Sequence, residues 1–510
     1  MEENTSKANN SNDQYEEYER LPILMKRYSF EEKMRIAHLH SSAAILFNQK
    51  IRKDETIVFP WCVETFVMLA IEAKEYSDGN FQGKNSKKAI KMFNEIWAAT
   101  SEILRRPCGR FGFMDVFLPS TLLTQSKSQE IDWIYKYRYW YAFGHNFDSL
   151  PLKDIFEERM EGTYEEYLLF GEILMVVFLA RAENKNITIP RKVLKYIFYE
   201  RFPRITMQMM ISRDDYIQLQ HNYIKNKDDP YRYVYSLCPS VQYPLVEFKG
   251  KIYFPLPHLL IQSVTSSLMY RLTEGDVSLR REIGKHVWEQ YLYDLIKDSE
   301  AYQEIVREPK YKRLNADSLA PDVVARCGKE VLFAESKSTV PSLGIRIGDE
   351  EDYEKNIDIV GEYIAKLAKR MWEFREYNPF GEAASLDRKD HWGVIVVHED
   401  SYMRRHFYHE KAREYLNLLE ESEEWTWVVE HIKVASLYEV EKICLSGYSI
   451  LDAFKECFDM DPFTYPFSGF LKEGFKPTNK KALEFAAQHN KRVDKVVDEI
   501  KILLGVNEDI

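Results

Sequence analysis

Residues 320–339 read Ala-Pro-Asp-Val-Val-Ala-Arg-Cys-Gly-Lys-Glu-Val-Leu-Phe-Ala-Glu-Ser-Lys-Ser-Thr. Two short β-prone runs flank Gly328-Lys329, and Gly328 supplies the positive φ required at the first position of a type II′ two-residue turn. With those two residues as the turn, Cys327 faces Glu330, and counting back sets Asp322 opposite Glu335. Directly opposed residues of an antiparallel pair share a face, with Cβ atoms about 5 Å apart. Strand alternation then puts Lys337 on that same face, two residues beyond Glu335.

Two carboxylates held so close repel, and like charges directly opposite destabilise a sheet. A divalent cation converts the repulsion into binding, because hard cations take carboxylate oxygens. A lysine beside the pair stabilises developing negative charge or holds an attacking water. Asp322, Glu335 and Lys337 on one face are therefore the parts needed for metal-assisted phosphodiester hydrolysis.

Pro321-Asp322, followed by Glu335-Ser336-Lys337 at the end of an apolar strand, resembles the signature of the PD-(D/E)XK nuclease superfamily, which has the restriction-endonuclease-like fold. The motif is short and moderately specific; the Pro-Asp pair, the turn register and the apolar strand add to it. By this resemblance Asp322 and Glu335 hold Mg²⁺ or Mn²⁺, and an acid on the first helix, Glu289, completes the metal site. Lys337 orients or deprotonates the attacking water and stabilises the pentavalent phosphorus. The substrate implied is nucleic acid, with DNA favoured over RNA.

The elements around the motif fit an αβββαβ core spanning residues 278–445, with helices on both faces. An amphipathic helix is predicted over 279–297, with Trp288, Tyr291, Leu292 and Leu295 on one face and Glu289 beside it. Ala301 to Val306 reads as the first strand. Arg307, Lys310, Lys312 and Arg313 crowd the segment before the hairpin, where cations meet a phosphate backbone. Residues 340–352, with Pro341, Gly344 and Gly348, read as a mobile substrate loop carrying Arg346. A helix over 353–376 follows from the spacing of Val360, Ile364, Leu367, Met371 and Phe374. It lacks the Gln-x-x-x-Tyr motif that some nuclease branches carry on this helix. Gly393 to Val397 is a buried strand, 402–421 a helix, and Trp425 to Val434 a further strand.

The first half is helical. Residues 1–20 are polar and acidic and read as a disordered tail. Ser29-Phe30-Glu31-Glu32 has capping-box spacing, and helices are expected at 29–49, 60–75, 86–106, 129–143, 163–183 and 190–201, forming a helical domain over 21–205. A connector, 206–277, holds a hairpin at 245–254, and a helical extension occupies 446–510, with its last helix at 479–504. The fold class is thus α+β and multidomain: a mostly α-helical N-terminal half and a C-terminal α/β core.

Three features invite other readings. Gly79 to Lys84 has three residues between its glycines where a phosphate loop needs four, so an inter-helix loop is favoured. The run Trp133 to Tyr141 interleaves aromatics with Lys136 and Arg138; a packed helix face is favoured over base stacking. His398, His406 and His409 match no zinc spacing and read as structural or surface residues.

A net charge of −11 argues against a uniformly basic coat but leaves room for a local basic groove. Six cysteines without a Cys-x-x-Cys pair give neither a disulfide framework nor a zinc ribbon, consistent with a reducing cytoplasm. The longest apolar stretch, Leu168 to Ala180, is short and contains Glu172, so no membrane span is expected. The function expected is a metal-dependent nuclease, with a homodimer or a partner protein engaged through the helical regions. By family-level analogy it is the effector of a prokaryotic restriction or anti-phage defence system. The alternatives are a catalytically silent nuclease-fold binding module and a helical scaffold or adaptor.

Overall fold

The structure is a computed structural model, and it describes residues 17–46, 58–75, 79–81, 86–125, 133–183, 190–313, 316–458, 466–467, 469–470 and 476–505. The chain is mixed α/β and mostly helical, with three small sheets. β1 (Met210–Ser212), β2 (Leu245–Phe248) and β3 (Lys251–Tyr253) form one; β2 and β3 are the hairpin expected in the connector. β5 (Lys310–Arg313) and β6 (Ala316–Leu319) form a two-stranded arm.

The central sheet has five strands in the order β10-β9-β8-β7-β4: Ile432–Ser436, His391–Val397, Glu330–Lys337, Val323–Cys327 and Glu304–Arg307. β4, β7 and β8 are antiparallel neighbours, whereas β8, β9 and β10 run parallel. Parallel neighbours need a crossover. The helix Glu350–Trp372 makes the first, and the helices Arg405–Leu416 and Glu423–His431 make the second. β9 is buried along its whole length, as its continuous apolar run requires. β4 is an edge strand, and the charged Glu304 and Arg307 at its ends are exposed. Charges there discourage pairing with another chain.

Side-chain alternation sends the apolar residues of the sheet into two cores. Val324, Val331, Phe333 and Ile395 join the core under the 350–372 helix, while Val323, Ala325, Leu332 and Val394 join the core under the helix Glu289–Asp298. Both cores continue into the first half of the chain. Residues from 18 to 116 pack on the first core and residues from 134 to 209 on the second. The segment expected as one helical domain is therefore divided between the two faces of the sheet.

Several local expectations change. Trp425 to Val434 is not one strand: Ser422 caps a helix at Glu423–His431 by accepting from the Trp425 N–H at 3.2 Å, and β10 starts at Ile432. The branched residues Val428 and Val429 favour a strand locally, but the cap and the burial of Trp425 and Val428 on one helix face override that preference. The helix Phe113–Gln125 was hidden by Pro119 in its interior, and the helix Leu152–Met160 by its brevity and charge. Half of the box expected at Ser29 forms: the Glu32 N–H donates to Ser29 Oγ at 3.1 Å, while the Glu32 carboxylate takes Arg35 and the Phe81 N–H. The phosphate-loop-like stretch is described only at 79–81, the tail only from 17, and much of 459–475 lies outside the described residues. Among the described residues no helix is long and apolar enough to cross a membrane.

The aromatic run is the helix Trp133–Phe143, and its cations are spent inside the protein. Lys136 pairs with Glu172, and Arg138 forms a two-point ion pair with Glu441 at 2.8 and 2.5 Å. Tyr291 adds a hydrogen bond to the same carboxylate at 2.8 Å. This pair joins the first half of the chain to the helix Leu437–Leu445 and to the helix that carries Glu289. Removing one partner of a fully buried pair strands the other charge and costs about 3–5 kcal/mol. Arg138→Met is accordingly expected to lower the thermal midpoint strongly, and Arg138→Met with Glu441→Leu to recover part of the loss. Calorimetric melts of the three proteins test this; a single variant as stable as wild type would remove the pair from the account.

Candidate active site

The hairpin has the register that the sequence implies. Cys327 pairs with Glu330 and Val323 with Ala334, so Asp322, one step beyond, stands opposite Glu335. Gly328 has φ +61°, while Lys329 is not among the positive-φ residues, as a type II′ turn demands. Lys337 follows on the face of Glu335.

Asp322 sits where the β4–β7 ladder breaks. Regular pairing ends at Arg307 with Val323, Glu308 takes φ +38°, and pairing resumes in the arm at Lys310 with Leu319. Pro309 and Pro321 lack N–H donors, so they cannot continue the ladder. The Glu308 N–H reaches the Asp322 carbonyl at 2.9 Å, and the Ser336 N–H reaches Asp322 Oδ2 at 2.7 Å. The break thus fixes the Asp322 backbone and turns its carboxylate toward β8.

Both carboxylates are buried, Asp322 at 8% exposure and Glu335 at 6%. Burial would raise both acids, but their neighbours separate them. Lys337 Nζ lies 2.8 Å and Arg370 Nη1 2.6 Å from Glu335 Oε1, and these cations hold Glu335 below the usual carboxylate range. Asp322 is pushed well above its usual value by burial and by the Glu335 charge. The two shifts run in opposite directions, Asp322 toward the protonated form and Glu335 toward the ionised one. Burial pushes Lys337 down, but Glu335 and Asp322 outweigh it and raise its pKa, so the amine stays charged. Its Nζ also stands 5.3 Å from the centre of the Tyr363 ring.

Glu289 opens the helix Glu289–Asp298 directly after a π-helical stretch, Gly284–Trp288. A Cβ at Gly284 would lie 3.1 Å from Ser338 Oγ, so glycine lets this stretch press against the end of β8. Glu289 is thereby brought within electrostatic range of Glu308, Lys337, Arg307 and Glu335. Burial and the Glu308 charge push it up to about 7. Among the described residues no three His, Cys, Asp or Glu side chains converge closely enough to hold a metal. The close pair is Asp322 and Glu335, with Glu289 farther off. Glu335 Oε2 is buried and has no hydrogen-bond partner.

The expected nucleic-acid contacts separate. Arg307 is exposed and bonds Gln290. Lys310 and Lys312 lie on β5, both exposed, with Tyr311 between them turned inward against Tyr377 and Glu373. Arg313 ends that strand, and its side chain lies outside the described residues. Arg346 is a correction: residues Leu343–Arg346 form a helical turn, Asp349 caps the next helix, and Arg346 is only 6% exposed. It is no surface contact for a phosphate backbone. His409 is fixed by the carbonyls of Arg405 and Ile432 at 3.1 and 3.0 Å, and His406 is exposed.

Arg370 and Tyr363 were missed as site residues. They stand seven positions apart on the 350–372 helix, two turns along one side, and that spacing was the available signal. Only the packing of this helix against the sheet shows that their side meets Lys337 and Glu335. No family model matches the chain, and no curated protein or solved structure is detectably similar to it.

The Glu289 shift has a signed consequence. In metal-free buffer the unfolded chain loses this proton near 4.5 and the folded chain near 7. Between these values the folded state holds more protons, so stability falls as pH rises through the window. Glu289→Gln removes that loss. In EDTA its melting temperature should exceed that of wild type at about pH 8 and converge with it near pH 4. A difference independent of pH would show that Glu289 does not titrate in this way.

Proposed function

We propose that this protein is a divalent-metal-dependent nuclease of the PD-(D/E)XK type that hydrolyses phosphodiester bonds, with DNA favoured as substrate. The observation that carries the reading is the juxtaposition of Asp322, Glu335 and charged Lys337 at one sheet end, with a buried Glu335 oxygen left unpartnered. The order helix, β4, β7, β8, helix, β9 also fits the αβββαβ core expected from the motif.

The donor set suits Mg²⁺ or Mn²⁺. Mg²⁺ commonly takes one or two carboxylates and completes its shell with water and substrate phosphate. Asp322 and Glu335 would hold it, with Glu289 the third acid that the resemblance implies. When bound, the ion supplies Lewis-acid polarisation of the phosphoryl oxygen and a more acidic water.

The protein's own groups do the rest. Lys337 is held as an ammonium, so it orients the attacking water and meets the negative charge that develops on the phosphoryl oxygens. Arg370 keeps Glu335 ionised. Lys310 and Lys312 face outward on the arm that leaves the sheet beside Asp322, where a phosphate backbone would run. A role as the effector of a prokaryotic defence system, triggered through the helical half, follows from the same resemblance.

A second reading, a catalytically silent module of the same fold, draws on Glu335 Oε1 already being shared by Lys337 and Arg370. Metal binding separates the two. Supercoiled plasmid and single-stranded DNA, incubated with Mg²⁺, Mn²⁺ or EDTA, should be cut by wild type only with metal. Asp322→Ala and Lys337→Ala should each cut at least about 10²-fold more slowly. Calorimetry should detect a divalent ion on wild type and none on Asp322→Ala. Absence of both metal binding and cleavage would leave the silent module.

A further inference from the structure

Beyond Lys337 the chain runs along the wall of a cavity of about 410 Å³ between the strand ends and the helical half. That volume is within the range of small-molecule sites. Leu237, Val241, Val340 and Leu343 give it apolar walls, and Tyr135 and Tyr438, stacked on each other at 5.2 Å, give it an aromatic one. Four of its lining residues hold buried polar atoms without a hydrogen-bond partner: Arg346 at Nε and Nη2, Ser267 at Oγ, Gln262 at Oε1 and His398 at Nδ1.

The arginine is the informative one. A buried guanidinium edge without an acceptor is costly, because it has given up water and gained nothing in return. Nε and Nη2 form the edge that grips a carboxylate at two points. Arg35 on Glu32, Arg110 on Glu354 and Arg138 on Glu441 use the same two nitrogens in this protein. At Arg346 that edge is open. The charges of Glu64 and Glu399 act on it through space, yet neither supplies an acceptor to Nε or Nη2. Asp400, also on the wall, is taken by Arg405 at 3.2 and 2.5 Å.

We propose that this cavity binds a small organic anion, whose carboxylate or phosphate takes the Nε–Nη2 edge of Arg346 and whose apolar or aromatic body lies against the tyrosines and the Val340–Leu343 segment. Ser267 and Gln262 give it further polar contacts. The site is separate from the carboxylate pair but shares its framework: the His398 N–H donates to the Lys337 carbonyl at 2.9 Å, and the Glu399 N–H to that of Thr339 at 3.4 Å.

The full chain is melted and titrated calorimetrically in EDTA with millimolar adenosine monophosphate in one arm and indole-3-acetate in the other. At least one probe should raise the midpoint by several degrees, and the arm that does so tells phosphate from carboxylate. Arg346→Met should abolish the shift and, having removed an unanswered buried charge, melt no lower than wild type without probe. Leu343→Trp, which fills the mouth and leaves the arginine, should also abolish it, whereas Asp322→Ala should keep it. The proposal is overturned by silence in both arms, by binding that survives both cavity variants, by loss of binding in Asp322→Ala, or by an Arg346→Met protein that melts well below wild type.

Discussion

Two carboxylates forced together out of water set the terms for the centre of this protein. The hairpin register gives Asp322 and Glu335 no choice but to face each other, and their burial denies them solvent screening. The fold answers with two cations on one oxygen of Glu335 and a backbone N–H on Asp322. The result is an uneven pair, Asp322 pushed up and Glu335 held down, with a buried Glu335 oxygen that has no hydrogen-bond partner. Such an arrangement holds charge at some cost to stability, as the proposed metal site would require.

Lys337 and the Ser336 N–H hold this pair from within the hairpin, and the remaining neighbours come from other stretches of chain. Arg370 and Tyr363 come from the helix that crosses from β8 to β9, and Glu289 from the helix that precedes the sheet. The break in the β4–β7 ladder places Asp322, and the same break sends the β5–β6 arm away from the sheet, with Lys310 and Lys312 on its exposed face. One local irregularity thus sets both the acid and the cations expected near a substrate.

The helical half is part of the same packing rather than an appended module. Its two groups of helices complete the cores on opposite faces of the sheet, and the buried Arg138–Glu441 pair fastens one of them behind the Glu289 helix. A change in how those helices sit would therefore be felt at Glu289 and at the strand ends, where the cavity beneath Arg346 also lies.

The sequence by itself determined the hairpin, its turn and its register, because Gly328 and a strict two-residue alternation leave one solution. It determined the buried strand β9 from a continuous apolar run and the helix after the hairpin from its apolar spacing, and both signals are local. It also determined that Asp322, Glu335 and Lys337 share a face. It misread Trp425 to Val434, where branched residues look like strand and a serine cap makes helix. It placed Arg346 in a solvent loop, although a guanidinium's burial depends on what packs above it. Only the tertiary structure brought Arg370 to Glu335, spent Arg138 on a buried glutamate and divided the first half between two cores. Those contacts join residues tens to hundreds of positions apart, and no local period records which helix face meets which side of the sheet.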